Sequence, residues 1–524
     1  MSSESVFCLA FDPTGTLLVS GGQDHVAIVW NVETKQIVFK TEGHQDSVTQ
    51  VAFSPDGAYL ATGDMAGGIR VWLKPTEISS SSTTQWALLM SETVGDLLWL
   101  RWWQPVPSAG QKKEVTSICT SPRPAVLTAG DEDGLVAVWS VVPPNPRTSQ
   151  VTAPKVKYLA GSGFSATAGL FYLPFIQSDR PKLVVLYRDT VLRLWDLKTE
   201  EVLTSVRLVT TNQTDQSEEE AEQIENKDEG SVFCLAQPHP GTESVQPQSD
   251  LVVVGGMNCL WLAVIKADKQ TASFSSKCLP PIELEDCGSV ETVDFSWTHS
   301  FFAFGTVSGV IGIVDTTPMR VRQKWTYSGF TDEENEGAGI TALLWSQTAP
   351  ILFTSTSDGA VVSWPGLSGS LELGGSSGIA SGPSPLHVWL GHQAMILDLA
   401  ITTGSDNTTA STIKLPEQAR ARQLPSEKLI ASASDDATVR IYSPINKNDC
   451  TCDQVVLPEY RRRRLGITGR SSRPVSSTET RQGLYAFLKH VDQFRPKYDE
   501  ERVVTPTQAY AETARFGGLN VLPP

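Results

Sequence analysis

One pattern recurs along this chain and constrains its fold more than any other feature. An alternating apolar strand ends in small residues, a tight polar turn follows, and a second strand ends in Trp or another apolar residue. The clearest copies occupy 17–32, 59–74, 125–141 and 351–366, two more occupy 183–197 and 429–444, and two weaker copies occupy 251–266 and 301–316. The first copy reads LLVSGGQDHVAIVWNV. A chain of 524 residues with this periodicity is organised by repetition rather than by several unrelated domains.

A further strand precedes each copy, as in SVTQVAFSPDG at 47–57, so the repeating unit contains four short strands. Two units begin with the Gly-His pair typical of WD repeats, at Gly43-His44 and Gly391-His392. Four-stranded units repeated in this way form the blades of a propeller, because each blade covers its faces only by packing on its neighbours. The sequence therefore predicts an all-β WD40 β-propeller of eight blades, or of seven if 251–266 or 301–316 is not a separate blade.

The propeller is predicted to occupy 1–458, and it contains an acidic loop at 212–230. Flexible insertions rich in Ser, Gly, Pro or Thr are predicted at 104–114, 365–385 and 401–427. We expect the last blade to take its outer strand from the region of Asp453–Leu457. The remainder, 459–524, is predicted to be a basic and mostly disordered tail. Its run Arg461–Arg464 favours an anionic partner, or a return of the tail onto an acidic surface of the propeller.

Several regularly spaced residues are predicted to build the repeat rather than a catalytic site. The Trp residues fill the space between adjacent blades, and the Asp residues six positions earlier bond the backbone of a tight turn. His44 and His392 precede the first strand of their units and are interpreted as structural, although Ala66 stands where the turn Asp of the His44 unit is expected. The full structural set is Asp24, Trp30, His44, Trp72, Asp133, Trp139, Asp189, Trp195, Asp358, Trp364, His392 and Asp436.

Acidic residues concentrate in loops that the propeller topology assigns to one face, which we call the upper face. The segments 214–230, 283–286 and 332–336 together hold fifteen acidic residues and one Lys. The predicted protein-binding residues are Asp46, Asp64, Asp96, Asp131, Glu132, Glu218, Glu219, Glu220, Glu222, Glu283, Glu285, Asp286, Asp332, Glu333, Glu334, Glu336 and Asp435. Segregation to one face favours a platform for a basic protein segment, and the alternative is that these loops only keep a large propeller in solution.

Motifs for the common catalytic classes are missing from the sequence. It has no Walker loop, no GxSxG, no HExxH and no His or Cys cluster at metal spacing, and its eight Cys form no CxxC pair. We therefore expect no enzyme activity, no cofactor and no metal. The net charge of −16 argues against direct nucleic-acid binding by the propeller. Neither a signal peptide nor a transmembrane segment is apparent, which predicts a cytoplasmic protein, with the nucleus or the cell cortex as alternatives.

Longer segments resemble one family of WD-repeat proteins. SVFCLAFDP (5–13), EGHQDSVTQVAFS (42–54), LATGDMAGGIRVW (60–72), GDLLWLRWW (95–103), GITALLW (339–345) and GHQAMILDLA (391–400) are similar to the angio-associated migratory cell protein family. The resemblance implies an eight-bladed interaction protein, linked in vertebrates to cell migration and angiogenesis. It also implies kinship with a fungal ribosome-assembly chaperone, whose acidic upper face holds the basic N-terminal segment of a large-subunit ribosomal protein.

These observations favour a non-enzymatic scaffold or chaperone whose acidic upper face binds a basic client. The resemblance implies a large-subunit ribosomal protein as that client, during ribosome assembly. Two alternatives stay open. One is a signalling scaffold linked to cell migration and angiogenesis. The other is a substrate receptor of a ubiquitin ligase, because Trp195-Asp196-Leu197-Lys198 resembles the ending that such receptors use for docking.

Overall fold

Eight four-stranded antiparallel sheets make up the described part of the chain, and in each sheet neighbouring strands follow one another in sequence. A computed structural model describes residues 5–75, 86–104, 122–143, 155–159, 163–172, 180–208, 232–238, 250–267, 273–285, 287–296, 300–327, 338–346, 351–366, 383, 385–403, 427–442 and 454–456. Eight blades rather than seven are thereby confirmed, since both weaker sequence copies form sheets of their own. The described residues contain no helix.

The first four blades use strands β1 to β16. Blade 1 contains β1 (Val6–Phe11), β2 (Leu17–Gly22), β3 (Ala27–Asn31) and β4 (Ile37–Lys40). Blade 2 contains β5 (Val48–Phe53), β6 (Tyr59–Asp64), β7 (Gly68–Leu73) and β8 (Ala87–Thr93). Blade 3 contains β9 (Leu97–Trp103), β10 (Ala125–Asp131), β11 (Val136–Val141) and β12 (Lys155–Leu159). Blade 4 contains β13 (Ala168–Phe171), β14 (Lys182–Leu186), β15 (Val191–Asp196) and β16 (Glu201–Arg207).

The other four blades use strands β17 to β32. Blade 5 contains β17 (Val232–Ala236), β18 (Leu251–Gly256), β19 (Cys259–Ala267) and β20 (Phe274–Glu283). Blade 6 contains β21 (Val290–Phe295), β22 (Phe301–Thr306), β23 (Val310–Thr316) and β24 (Met319–Thr326). Blade 7 contains β25 (Ile340–Trp345), β26 (Ile351–Thr356), β27 (Ala360–Pro365) and β28 (His387–Leu390). Blade 8 contains β29 (Ile396–Thr403), β30 (Glu427–Ser434), β31 (Val439–Tyr442) and β32 (Gln454–Val456).

The hydrophobic core is divided among the seams between blades, and each seam has its own cluster of buried side chains. Trp72 packs with residues of blade 1, Trp139 with residues of blade 2, and Trp195 with residues of blade 3. Trp30 packs with blade 8, and Trp364 packs with blade 6. All five of these Trp side chains are buried, as the repeat pattern predicted. Truncation of a buried Trp typically costs about 3–5 kcal/mol, so each seam contributes strongly to stability.

The ring closes where blade 8 meets blade 1. The strand β32 pairs with β31 and completes blade 8, in the region where the sequence predicted its outer strand. Val6, Leu9 and Trp30 of blade 1 pack against Ala431 and Ile441 of blade 8. The backbone N–H of Leu9 also donates a hydrogen bond to the Asp398 carboxylate across the same seam, at 2.8 Å. Closure is therefore made by side-chain packing and by hydrogen bonds across the seam, from the Leu9 N–H to Asp398 and from the Ser5 hydroxyl to Asp435, rather than by a strand shared between the chain ends.

Candidate protein-binding site

The strand order of the blades fixes which loops share a face. In each blade the turn between the second and third strands lies at the same end as the connection to the next blade. This end is the upper face, and the turns between first and second and between third and fourth strands lie at the lower face. The acidic segment 214–230 falls between β16 and β17, and 332–336 falls between β24 and β25. Both sequence segments therefore join strands at the upper face.

One residue of each blade occupies an equivalent place on the upper face, directly after the second strand in seven blades and one residue later in blade 4. In the seven blades whose residue before the first strand is described, its backbone N–H donates to a carbonyl just before that strand, as in Met65 to Ser47 at 2.9 Å and Asp435 to Met395 at 3.0 Å. We call these eight positions the upper rim: Gln23, Met65, Glu132, Arg188, Met257, Val307, Ser357 and Asp435. All eight side chains are exposed. Repetition of one hydrogen bond thus sets out a ring of side chains available to a ligand.

The upper rim is chemically mixed, a property that the sequence analysis missed. Met65, Met257 and Val307 expose 51%, 51% and 56% of their surface. Glu132 and Asp435 supply carboxylates, whereas Arg188 supplies a positive charge in blade 4. The signal was present in the sequence, since seven of the eight rim residues directly follow the second strand of their copy. A surface of this kind suits a ligand that carries apolar as well as basic side chains.

Further predicted acids border the upper rim. Asp96, Glu283 and Glu285 are exposed in the connections that lead into blades 3 and 6, and Asp46 is half-buried before blade 2. The carboxylate of Asp46 accepts a hydrogen bond from the N–H of Ser47 at 2.6 Å. The structure therefore places Asp46, Asp96, Glu132, Glu283, Glu285 and Asp435 together on the upper face.

Two of the predicted binding residues, Asp64 and Asp131, are buried, and the expectation that they present carboxylates to a partner is wrong. Each is 2% exposed and bonds the turn that follows its strand. Asp64 accepts from the N–H of Gly68 at 2.7 Å, and Asp131 accepts from the N–H of Leu135 at 2.8 Å. A buried carboxylate that satisfies backbone donors is costly to withdraw, so both residues belong to the framework.

His44 has a carboxylate partner despite Ala66 in its turn, contrary to the sequence-based expectation. Its Nδ1 lies 2.9 Å from Asp64, and its Nε2 lies 2.8 Å from the Thr62 hydroxyl. That hydroxyl also accepts from Nε1 of Trp72 at 3.3 Å. A neutral ring that donates through Nδ1 and accepts at Nε2 satisfies all of these contacts. Burial lowers the pKa of His44 and outweighs the opposing effect of Asp64, which keeps the ring neutral.

Blade 8 builds the equivalent network from different positions. His392 Nδ1 lies 3.0 Å from Asp436, and Nε2 lies 2.7 Å from the Ser432 hydroxyl, which in turn lies 3.3 Å from the Tyr442 hydroxyl. Burial likewise lowers the pKa of His392. Although burial alone would raise it, hydrogen bonds from His392 and its neighbours hold the pKa of Asp436 well below its usual range. Neither His is exposed to a partner.

The regularly spaced Asp residues are dispersed around the ring, as expected of structural residues. Asp24 accepts from the N–H of Val26 at 3.3 Å, and Asp189 accepts from the N–H of Val191 at 3.1 Å. Asp358 accepts from the hydroxyl of Thr356 in the same turn. Asp133 is exposed, and the equivalent turn bond in blade 3 goes to Asp131 instead. These four blades use different groups to close the same turn.

The remaining predicted binding residues lie outside the described residues: Glu218, Glu219, Glu220, Glu222, Asp286, Asp332, Glu333, Glu334 and Glu336. The same is true of most of the insertions at 104–114, 365–385 and 401–427 and of the tail 459–524. Among the residues that the structure describes, none form a cluster of three or more His, Cys, Asp or Glu side chains suited to a metal ion. No helix in this part of the chain is long and apolar enough to cross a membrane.

The segment Trp195-Asp196-Leu197-Lys198 makes contacts within blade 4 and in the seam with blade 3. The Asp196 carboxylate pairs with Lys182 and accepts from the N–H of Lys198 at 2.8 Å. Trp195 and Leu197 are buried in the seam with blade 3. These contacts give the segment a structural role at the turn between the third and fourth strands.

The repeats and the fold both have counterparts among known proteins. The family model for the WD domain, G-beta repeat, matches residues 2–31, 35–72 and 104–140. The human angio-associated migratory cell protein is 28% identical over 407 residues, which span 77% of this chain and 74% of the relative. The ribosome assembly protein SQT1 of Saccharomyces cerevisiae is 24% identical over 334 residues, or 62% of this chain and 66% of the relative.

Two solved structures share the architecture. Sqt1 from Saccharomyces cerevisiae superposes with a TM-score of 0.58 at 19% identity, covering 85% of this chain and 97% of that one. Sqt1 from Chaetomium thermophilum, bound to the N-terminus of the ribosomal protein L10, superposes with a TM-score of 0.56 at 18% identity. That alignment covers 84% of this chain and 97% of Sqt1. At these identities the structures bear on the fold alone.

Proposed function

We propose that this WD-repeat propeller, a relative of the angio-associated migratory cell proteins and of SQT1, is a non-enzymatic chaperone that holds a basic segment of a ribosomal protein. The observation that carries the proposal is the composition of the upper face. It exposes Glu132 and Asp435 at the upper rim and Asp96, Glu283 and Glu285 beside it. Clustered carboxylates on one surface raise the local concentration of cationic ligands and accelerate their encounter.

The acidic sequence segments strengthen the same side of the molecule. The segments 214–230 and 332–336 both join strands whose ends lie at the upper face, so their charge adds to that of the described carboxylates. The client chemistry follows from complementarity: a segment rich in Lys and Arg, whose free form needs protection before it meets RNA. Sqt1 of Chaetomium thermophilum has been crystallised with the N-terminus of ribosomal protein L10, which supports a ribosomal client here.

The test uses a synthetic peptide with the N-terminal sequence of ribosomal protein L10, whose affinity for the full chain is measured by fluorescence anisotropy. The upper-face variant is D96N/E132Q/D435N. Its matched control, E33Q/E200Q/E201Q, removes three exposed carboxylates from the lower face. We expect the wild type and the control to bind the peptide equally, and the upper-face variant to bind at least about 10-fold more weakly.

The same affinity measurement is repeated at different salt concentrations. Binding driven by exposed charges weakens between about 50 mM and about 500 mM salt, because the screening length falls several-fold. Equal affinity of the upper-face variant and the wild type would mean that the carboxylates serve only solubility. Absence of peptide binding by the wild type at low salt would reject the ribosomal client.

A signalling scaffold in cell migration is the second candidate, and it rests on the similarity to the angio-associated migratory cell protein. Affinity capture from cell extract separates the two candidates. Recovery of ribosomal protein precursors by the wild type, and their loss with the upper-face variant, supports the chaperone. Recovery of membrane-associated or cytoskeletal proteins in their place supports the scaffold.

A further inference from the structure

The direction of the last strand brings the basic tail to the acidic face. In blade 8 the strand β31 begins just after the upper-face turn that contains Asp435 and Asp436. The strand β32 runs antiparallel to it, with Val456 paired to Val439 and Gln454 paired to Ile441. Because Val439 lies at the upper end of β31, β32 ends at the upper face. The sequence that follows, LPEYRRRRLGI at 457–467, therefore starts at the upper face.

The separation is short enough for direct contact. Five residues of extended chain from Val456 to Arg461 span about 17 Å. Adjacent strands lie about 4.8 Å apart, so the second strand of blade 8 is about 10 Å from β32 and the first strand is about 14 Å away. Arg461 can therefore reach Asp435, and the three Arg residues that follow can extend over the start of β29.

The upper surface of blade 8 is complementary to this segment in charge and in apolar character. Asp435 is exposed, and its carboxylate accepts a hydrogen bond from the Ser5 hydroxyl through Oδ1. Met395 exposes 40% of its surface directly beside it, since the Asp435 N–H donates to the Met395 carbonyl. The tail segment places four Arg residues between apolar neighbours, with Leu457 and Tyr460 before them and Leu465 and Ile467 after them. A carboxylate beside an exposed Met suits a segment in which apolar side chains flank the Arg residues, and suits a purely basic run less well.

We propose that residues 457–467 of this chain dock on the upper face over blade 8 and compete there with the client. The proposal rests on the proposed function, because it assigns a regulator to the same surface. Tethering gives the tail an effective concentration in the millimolar range for short linkers. A client must therefore displace the tail, and release of the client is assisted when the tail returns. A client segment is retained only if it binds the upper face more tightly than the four adjacent Arg residues of the tail.

The test compares two full-length variants, each of which loses four positive charges from the tail. The tail variant is R461S/R462S/R463S/R464S, and its control is R470S/R473S/R481S/R495S. A labelled peptide of sequence LPEYRRRRLGI is titrated into each protein. We expect the tail variant to bind the peptide at least about 10-fold more tightly than the wild type and the control, because its own segment no longer occupies the surface. Addition of D435N and M395S to the tail variant should abolish this gain, whereas addition of E33Q should not.

Two results would overturn the inference: failure of the peptide to bind the tail variant, or equal affinity for the wild type and the tail variant. Failure of the proposed function looks different. If the L10 peptide binds the upper face equally in the wild type and the tail variant, the client site stands and the competing tail does not. If the tail peptide behaves as expected but no ribosomal segment binds, the tail contact stands and the chaperone role does not.

Discussion

Nδ1 of His44 lies 2.9 Å from a carboxylate oxygen of Asp64, whereas His392, its counterpart in blade 8, contacts Asp436 at 3.0 Å. Asp64 is the second residue after the hydroxyl-bearing Thr62, but Asp436 is the fourth residue after the equivalent Ser432. The same buried His is thus satisfied from the end of a strand in one blade and from the turn in the other. The network requires a carboxylate within hydrogen-bond distance of Nδ1 of the buried His, and two different sequence positions can supply it.

Moving the carboxylate in blade 2 should therefore be tolerated, although removing it should not. D64S leaves the buried His44 ring and the N–H of Gly68 without their acceptor, and we expect it to lower the free energy of unfolding by about 2–4 kcal/mol. The double variant D64S/A66D reproduces the arrangement of blade 8 and should recover at least half of that loss. Urea denaturation followed by Trp fluorescence measures both effects. A double variant as unstable as D64S would show that the strand-end position is required. M65S, at an exposed position between the two, is the control.

The lowered pKa of His392 gives the blade 8 network a defined pH dependence. In the unfolded chain this His takes up a proton as pH falls through about 6.5, but in the folded chain the ring stays neutral to lower pH. Its contribution to stability is therefore complete above about pH 6.5 and is lost progressively below it. The stability difference between wild type and H392Q should shrink by about 1 kcal/mol between about pH 6.5 and 5.5. A difference that stays constant or grows as pH falls would contradict this assignment.

The sequence predicted eight blades, with seven left open, and identified most of the repeat, because period-two strands and turn residues are local signals. The copies that form blades 5 and 6 matched the repeat least well. In blade 6, for example, Val314 stands at the position that Trp occupies in the clearer copies. Its seam is filled instead by Phe295, Phe302 and Phe304, which are fully buried. Compensation of this kind depends on contacts between blades, and a single repeat does not reveal it.

The candidate site was predictable in location but only partly in its residues. Charge segregation identified the upper face, since the strand order decides which loops meet there. Burial of Asp64 and Asp131 could not be deduced, because each carboxylate replaces the turn residue two positions later. The exposed Met65, Met257 and Val307 were overlooked because apolar residues next to a strand are usually assigned to the core. Apolar residues that directly follow the second strand in a propeller repeat should instead be assigned to the upper rim.

Close packing of Trp99 between blades 3 and 4 makes Gly169 a sensitive position. A Cβ atom at Gly169 would lie 2.4 Å from the Trp99 ring, which is held by a hydrogen bond from Nε1 to the Ala166 carbonyl at 2.8 Å. We expect G169A to lower the free energy of unfolding by about 2–3 kcal/mol through overpacking. The additional substitution W99L should reduce that penalty in a double-mutant cycle. G163A is the control for backbone strain alone, since its φ is +79° with no neighbour within 4 Å, and it should cost only about 1 kcal/mol. Equal costs for the two Gly substitutions would rule out the steric explanation.

Asp398 and Asp294 accept equivalent hydrogen bonds at two seams, and only the seam of Asp294 joins blades that are consecutive in the chain. Asp398 accepts from the N–H of Leu9 in blade 1 at 2.8 Å, and Asp294 accepts from the N–H of Trp345 in blade 7 at 2.7 Å. Each also accepts from the N–H of the residue that follows it, at 2.8 Å in one case and 3.0 Å in the other. Blades 6 and 7 are consecutive in the chain, whereas blades 8 and 1 meet only through non-covalent contacts.

We therefore expect D398A and D294A to lower the global stability by similar amounts, about 2 kcal/mol each, because each removes the acceptor of two backbone N–H groups, one of them across the seam. Their local effects should differ. Loss of Asp398 lets blade 1 separate from blade 8 without breaking a chain connection, so amide exchange in β1 and β29 should accelerate at least about 10-fold beyond the global rate. D294A should show no such local acceleration in β21 and β25, because the chain itself limits their separation. Hydrogen exchange followed by mass spectrometry measures both segments in one experiment. Identical exchange profiles for the two variants would mean that the closing seam is as firmly held as a seam joined by the chain.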